Sequence, residues 1–488
     1  MDNYNVQSNV FSGFLWRFAE RSGAQGVSFV VTIILARLLA PQDFGTLALI
    51  TIIIAILQVF VDSGMGNALI QKKDADDLDF STVFYLNLLI CLILYIVMFI
   101  GAPFIAKFYG NDQLILLIRV LSLTLIISGV RNIQQAYVSK HMLFKRFFFA
   151  TLGGTIGAAV IGIGLAFMGL GVWALVVQHL FLTLVDTLIL WITVKWRPKI
   201  MFSFKRMVTL YSYGWKLLAS SLLEVLYNNM QQLVIGKLYS TSDLAYYNSG
   251  RQFPSLAITN VNASIDSVLF PAISNVQNDS AKVKSMTRRA IRISSYIIWP
   301  IMIGLGVIAE PLISLLMTDK WLPSVPYLQI FCFVYGFWPI HTANLNAIKA
   351  LGRSDIFLKL EILKKAIGLI SLFVSMRYGV MAIAMAFAIT TPISVFINIT
   401  PNVKLLGYSY KEQLADILPS IGLAGLMGVA VYSIQFLHFE SFLKLVIQVI
   451  AGIIIYITLS KFFRIESYYY VQRMIINIIK KPNIRIRN

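Results

Sequence analysis

Arg17, Arg21, Lys216 and Arg251 fall inside long apolar stretches, where a charge facing lipid costs several kcal/mol, roughly 3 or more. Such groups turn to a packed interior or a wet cavity, so their spacing maps a polar lumen. On the first stretch Arg17, Arg21, Gln25, Ser28 and Thr32 recur every three or four residues, with Glu20 beside the arginines. On the seventh, Lys216, Ser220, Glu224, Asn228 and Gln231 repeat that rhythm and draw one polar line along a helix. The eighth carries Arg251, Ser255, Thr259, Asn262 and Asp266, with Asn260 nearby, and the second offers Gln58 and Asp62. If Glu20 and Glu224 each neutralise one cation, a positive surplus remains, and it needs an anion. Guanidinium groups grip phosphate bidentately, which makes Arg17, Arg21, Lys216 and Arg251 the candidate anion-binding set. Gln25, Asn228, Gln231, Asn260 and Asn262 are candidates to face a polar cargo. The alternative for single Ser, Thr, Asn and Gln positions is interhelical hydrogen bonding that only holds a bundle together. Asp62, Glu224 and Asp266 are candidates for ion coupling, to H+ or Na+, and equally candidates for plain salt bridges.

These side chains must be positioned by membrane-spanning helices. About fourteen stretches of roughly 20 or more mostly apolar residues are long enough to cross a hydrocarbon layer. They lie near 11–38, 43–70, 79–106, 112–138, 147–168, 171–194, 208–239, 243–275, 290–317, 322–350, 357–376, 379–403, 413–437 and 441–463. With the first stretch starting in the cytoplasm, most of the 41 Lys and Arg fall in cytoplasmic connections and the tail, so both termini are expected there. Gly64 and Gly66, Pro254, Gly336 and Pro339 mark expected bends, as packing accommodations or as hinges. Residues Ile465 to Ile479 read as an interfacial helix, rich in tyrosine and isoleucine, ahead of a basic tail.

A chain of 488 residues that is 58% hydrophobic is neither disordered nor an ordinary soluble protein. Its net charge of +19 sits mainly in short loops, which fits topogenic charge and anionic headgroups better than nucleic acid. Two cysteines, Cys91 and Cys332, both in apolar stretches, and four scattered histidines build no metal site and need no cofactor. No cleavable signal is expected, because Arg17 to Arg21 interrupt the first apolar stretch. No nucleotide-binding P-loop occurs, and no connection is long enough to hold a soluble catalytic domain, so no catalytic residues are expected and the chain reads as a non-enzyme.

An internal repeat organises the helices. Thr32 to Gly45 aligns with Gln232 to Ala245 at a shift of 200, which places Arg37 over Lys237 and Asp43 over Asp243. Gly171-Val-Trp-Ala174 lies over Gly379-Val-Met-Ala382 at a shift of 208. The near-equal offsets predict an all-α polytopic protein with two six-helix lobes related by a pseudo-twofold axis, plus two extra helices. The expected divisions are residues 1–200, 201–406, 407–464 for the two additional helices, and 465–488 for the interfacial helix and tail.

The ordered set Ala36-Arg-Leu-Leu-Ala-Pro-Gln-Asp-Phe-Gly45, Asp62-Ser-Gly-Met-Gly-Asn-Ala-Leu-Ile-Gln71, Phe144-Lys-Arg146, Gly171-Val-Trp-Ala-Leu-Val-Val-Gln178 and Ala309-Glu-Pro-Leu-Ile-Ser-Leu-Leu316 resembles the Wzx-type polysaccharide exporters, close to their colanic acid exporter branch. That resemblance, running from about residue 10 to about 460, implies membership of the multidrug/oligosaccharidyl-lipid/polysaccharide exporter superfamily. It implies a central cavity, alternating access, and an undecaprenyl-pyrophosphate-linked oligosaccharide moved from the cytoplasmic to the periplasmic leaflet of a bacterial inner membrane. Glycosyltransferases and a glycan polymerase would be its partners, besides membrane lipids. The alternative on the same scaffold is a cation-coupled exporter of small molecules.

Overall fold

The computed structural model describes the backbone of residues 3–62, 65–437 and 439–480, and their side chains apart from 3–15, 17–19, 209, 213, 260, 264, 474–475 and 477–480. The described residues are almost entirely helical. The first half runs α1 (Asn3–Leu38), α2 (Pro41–Asp62), α3 (Met65–Gln71), α4 (Asp77–Tyr109), α5 (Leu114–Leu121), α6 (Leu123–Lys140), α7 (Lys145–Phe167), α8 (Val172–Thr193) and α9 (Phe204–Leu238). Then follow α10 (Thr241–Ser274), α11 (Ser280–Val307), α12 (Ala309–Met317), α13 (Val325–Gly336), α14 (Trp338–Ala350), α15 (Ser354–Ser375), α16 (Val380–Leu406), α17 (Tyr410–Ser433), α18 (Ser441–Phe462) and α19 (Glu466–Lys480). Two compact units result, residues 1–245 and 246–488, with the division inside α10.

Among the described residues, ten helices or continuous helix pairs are long and apolar enough to cross a membrane. The expected stretches outside that set are those of α1, α9, the α13/α14 pair and α15. Each departs for a visible reason: α1 and α9 carry the polar lines, the pair is divided after Gly336, and α15 holds Lys359, Glu361, Lys364 and Lys365. Prolines inside α4, α10, α11, α16 and α17 leave those helices continuous, because neighbouring helices and side chains can take up the freed backbone groups.

The bends are built from packing. A Cβ on Gly336 would lie 2.8 Å from the Trp299 ring, so the missing side chain there is what lets α11 press on the α13/α14 break. In the second half, α10 runs through Pro254 unbroken. Gly64 lies outside the described residues; Gly66 lies in α3, whose first residue is Met65.

In the first unit the connection from α8 to α9 is fastened to the start of α4. Asp76 caps α4 in a reciprocal capping box with Asp79. Arg206 pairs with both Asp76 and Asp79, Lys199 pairs with Asp77, and the Lys199 and Ser203 amides donate to the Ser81 and Thr82 hydroxyls. The Asp79 side chain is fully buried and also receives Lys72 at 2.6 Å. The Arg206 hydrogen bond holds the Asp76 carboxyl well below the usual carboxylate range.

In the second unit α11 is the hub. Arg288 and Arg292 both grip the buried Asp416 on α17, at 2.7 and 2.6 Å, and Tyr408 donates to the same carboxylate at 2.7 Å. Arg292 also reaches Glu466, the first residue of α19, at 2.6 Å, and Arg289 covers the Tyr470 ring at 3.7 Å. A helix thus occupies most of the segment 465–479, with Ile465, Tyr468 and Val471 packed on the core of this unit.

Candidate polar and cationic sites within the two units

The polar line of α1 ends at a cavity inside the first unit. About 490 Å³ in volume, it is lined from α1, α2, α6, α7 and α8 by Gln25, Gln58, Arg131, Thr155, His179 and Asp186, among others. Its charged pair is Arg131 and Asp186, 2.6 Å apart, with the Asp186 side chain 8% exposed. Asp186 Oδ1 and Arg131 Nε are buried without a hydrogen-bond partner, so each keeps one directed polar site unspent. Thr155 and Thr183 donate to helix carbonyls four residues back, which leaves their oxygen lone pairs as acceptors. Glu20, which is buried, accepts from Thr151 at 3.1 Å.

Of the expected cations, Arg21 is exposed one helical turn before Gln25, and Lys216 is exposed on α9. Among the described residues neither has an ion-pair partner, and Glu224, also exposed, does not reach Lys216. Lys216, Ser220, Glu224 and Asn228 are exposed at four-residue spacing and form one face of α9. Gln231 is half-buried further along that helix. The Arg17 and Asn260 side chains lie outside the described residues.

Arg251 belongs to the second unit. Its Nε donates to the Tyr335 hydroxyl at 2.9 Å, in a cluster where Tyr247 is fully buried and Tyr335 nearly so. Among the described residues no carboxylate pairs with it. Asn262 is half-buried with its Oδ1 unpartnered. Asp266 is exposed and accepts from Asn346 at 2.7 Å. Asp62, at the end of α2, accepts from Gln58 at 3.3 Å and Asn132 at 3.4 Å. The three coupling candidates therefore stand as hydrogen-bond acceptors or exposed groups, not as buried ion pairs.

What periodicity missed is the pairing of Asp186, a lone acid in α8, with Arg131 on α6. No spacing rule links positions 55 apart, and only the packing of α8 on α6 brings them together. Arg119, equally unassigned by spacing, donates to the Phe99 carbonyl at 3.2 Å and stacks on its ring. In the second unit α14 and α16 share a buried amide network: His341 meets Asn398 at 2.7 Å, and Asn402 and Gln413 both bond Asn344.

Long apolar helices that carry lines of polar side chains, with Arg21, Lys216 and Arg251 meeting no carboxylate among the described residues, define a polytopic membrane protein. The family model described as "Polysaccharide biosynthesis protein" matches residues 34–326, and the chain belongs to that family. The chain is 25% identical to the teichuronic acid biosynthesis protein TuaB of Bacillus subtilis, over 82% of this chain and 85% of that one. It is 23% identical to the succinoglycan biosynthesis transport protein ExoT of Rhizobium meliloti, over 90% and 89%. It is likewise 23% identical to the lipopolysaccharide biosynthesis protein WzxC of Escherichia coli, over 85% of each chain. Among solved structures it matches the lipid II flippase MurJ in an inward closed conformation with a TM-score of 0.75 at 16% identity, covering 92% of this chain and 99% of that one. An inward-facing MATE family multidrug transporter matches at 0.62 and 15% identity, covering 79% and 95%. The fold is that of the exporter superfamily which the sequence resembles.

Proposed function

We propose that this protein is a flippase for undecaprenyl-pyrophosphate-linked oligosaccharide repeat units. It moves them from the cytoplasmic to the periplasmic leaflet of a bacterial inner membrane by alternating access, for exopolysaccharide, capsule or lipopolysaccharide assembly. Both termini are cytoplasmic, and the protein is a carrier, not an enzyme. Family membership and the names of its relatives, which concern polysaccharide and teichuronic acid biosynthesis, support a glycan cargo. The single observation that carries the reading is that Arg21 and Lys216 in the first unit, and Arg251 in the second, meet no carboxylate among the described residues; Arg17 precedes Arg21 by one turn in sequence. A pyrophosphate supplies the missing negative charge, and amides such as Gln25, Asn228, Gln231, Asn260 and Asn262 suit sugar hydroxyls. Asp62, Glu224 and Asp266 remain the groups through which H+ or Na+ would couple.

The test replaces Arg21 or Lys216 by Ala in cells that depend on this protein for a surface polysaccharide. Polymer is lost while the protein inserts at its normal level. Normal polymer at normal protein level removes the anion-gripping role, and altered drug sensitivity without a glycan defect favours a small-molecule exporter.

A further inference from the structure

We infer that the cavity around Arg131 and Asp186 is a binding site for a neutral hexose ring of the cargo; this rests on reading the protein as a carrier of glycan lipids. The first support is charge. The wall holds a guanidinium and a carboxylate already joined at 2.6 Å, so the pair neutralises itself and offers little to a phosphate or a bare cation. The second is the pattern of unspent groups. Asp186 is 6% exposed and its Oδ1 has no partner, while Nε of the paired Arg131 is a buried, unused donor. A pair that keeps one unspent acceptor and one unspent donor suits a ligand group that both donates and accepts, which is what a hydroxyl does.

The remaining wall continues that pattern. Thr51, Thr124, Thr155 and Thr183 spend their protons on helix carbonyls and present oxygen lone pairs. Gln25 and Gln58 add amides that can donate and accept. The volume of about 490 Å³ falls in the roughly 300–1,000 Å³ range of small-ligand pockets and far exceeds the ~30 Å³ of one water. Position supplies the third support. Gln25 lines the cavity one turn after Arg21, about 6 Å along the helix axis. A pyrophosphate on Arg21 would therefore deliver the first sugars, not the lipid, to this wall.

The experiment uses the full chain in nanodiscs free of glycoside detergents. Saturation-transfer NMR is run with the methyl α-glycosides of glucose, galactose and mannose, and with inorganic phosphate as a second probe. At least one hexoside receives saturation from the unaltered protein, phosphate does not compete, and Thr183→Trp, which fills the cavity, weakens binding about tenfold. Should Thr183→Trp fail to fold, Gln58→Leu removes one amide from the wall and weakens the same signal. Absence of hexoside binding, displacement by phosphate, or equal binding by the filled variant overturns the assignment. A protein that binds hexoside in this way yet moves no glycan lipid in proteoliposomes overturns the flippase reading and leaves the cavity's ligand standing.

Discussion

Asp43 and Asp243, 200 positions apart, each accept a hydrogen bond from the amide three residues earlier, Ala40 and Ser240, at 3.2 Å in both cases. Each carboxylate closes the tight turn that ends one long helix and starts the next. The second carboxylate is held by one bond more, because the Ser240 hydroxyl also donates to it at 2.7 Å, which Ala40 cannot do. Replacing either aspartate by Ala is expected to cost about 1 kcal/mol, with Asp243→Ala the larger loss. Chemical unfolding of the purified variants measures the difference, and equal losses would deny the second turn its extra bond.

Gly45 sits two residues past Asp43, and its hydrogen faces the Thr241 carbonyl. A Cβ there would stand 1.7 Å from Thr241 O and 2.5 Å from its carbonyl carbon, neither of which can swing aside. Gly45→Ala is expected to destabilise by about 3 kcal/mol or more, the upper end of overpacking effects. Gly101→Ala, where no atom lies within 4 Å, serves as the tolerated control. Yield and melting temperature in detergent separate the two.

Asp186 without Arg131 is an uncompensated buried carboxylate. Arg131→Met alone should therefore cost about 3–5 kcal/mol, while Arg131→Met combined with Asp186→Met should recover a large share of it. A double-mutant cycle on unfolding midpoints gives the coupling. Additive losses would mean that the pair is incidental to stability.

Asp76 lies ahead of the membrane-spanning part of α4, and its lowered pKa fixes the sign of a pH effect. The stability it contributes is present above the unfolded carboxylate value of about 3.9 and is lost as pH falls through the depressed folded value. Asp76→Asn should thus lower the melting temperature at pH 6, and the gap from the parent protein should narrow towards pH 3. A gap unchanged across that range would refute the linkage.

Helix placement was legible because apolar length and terminal charge are local properties. Asp43, Asp243, Gly171 and Gly379 were legible as a repeat because a tight turn needs the same few residue types each time; Gly171 and Gly379 both adopt positive φ just before α8 and α16. The polar lines of α1 and α9 were legible as helical spacing, yet spacing alone did not say that Arg21 and Lys216 meet no acid among the described residues or that Arg251 leans on Tyr335. Asp186 stayed opaque for the same reason as His341 and Asn398. A partner on another helix leaves no mark on the local pattern, and only packing chooses between the acceptors within reach.

The grip of Arg292 on Glu466, and of Arg289 on Tyr470, bears on how reporters are attached to this protein. A fluorescent fusion or affinity handle placed beyond α19 leaves both contacts intact. A truncation ahead of residue 466 strips them away, leaving Arg292 with Asp416 alone and Arg289 without its ring, so shortened versions made for crystallisation should be chosen to keep that helix.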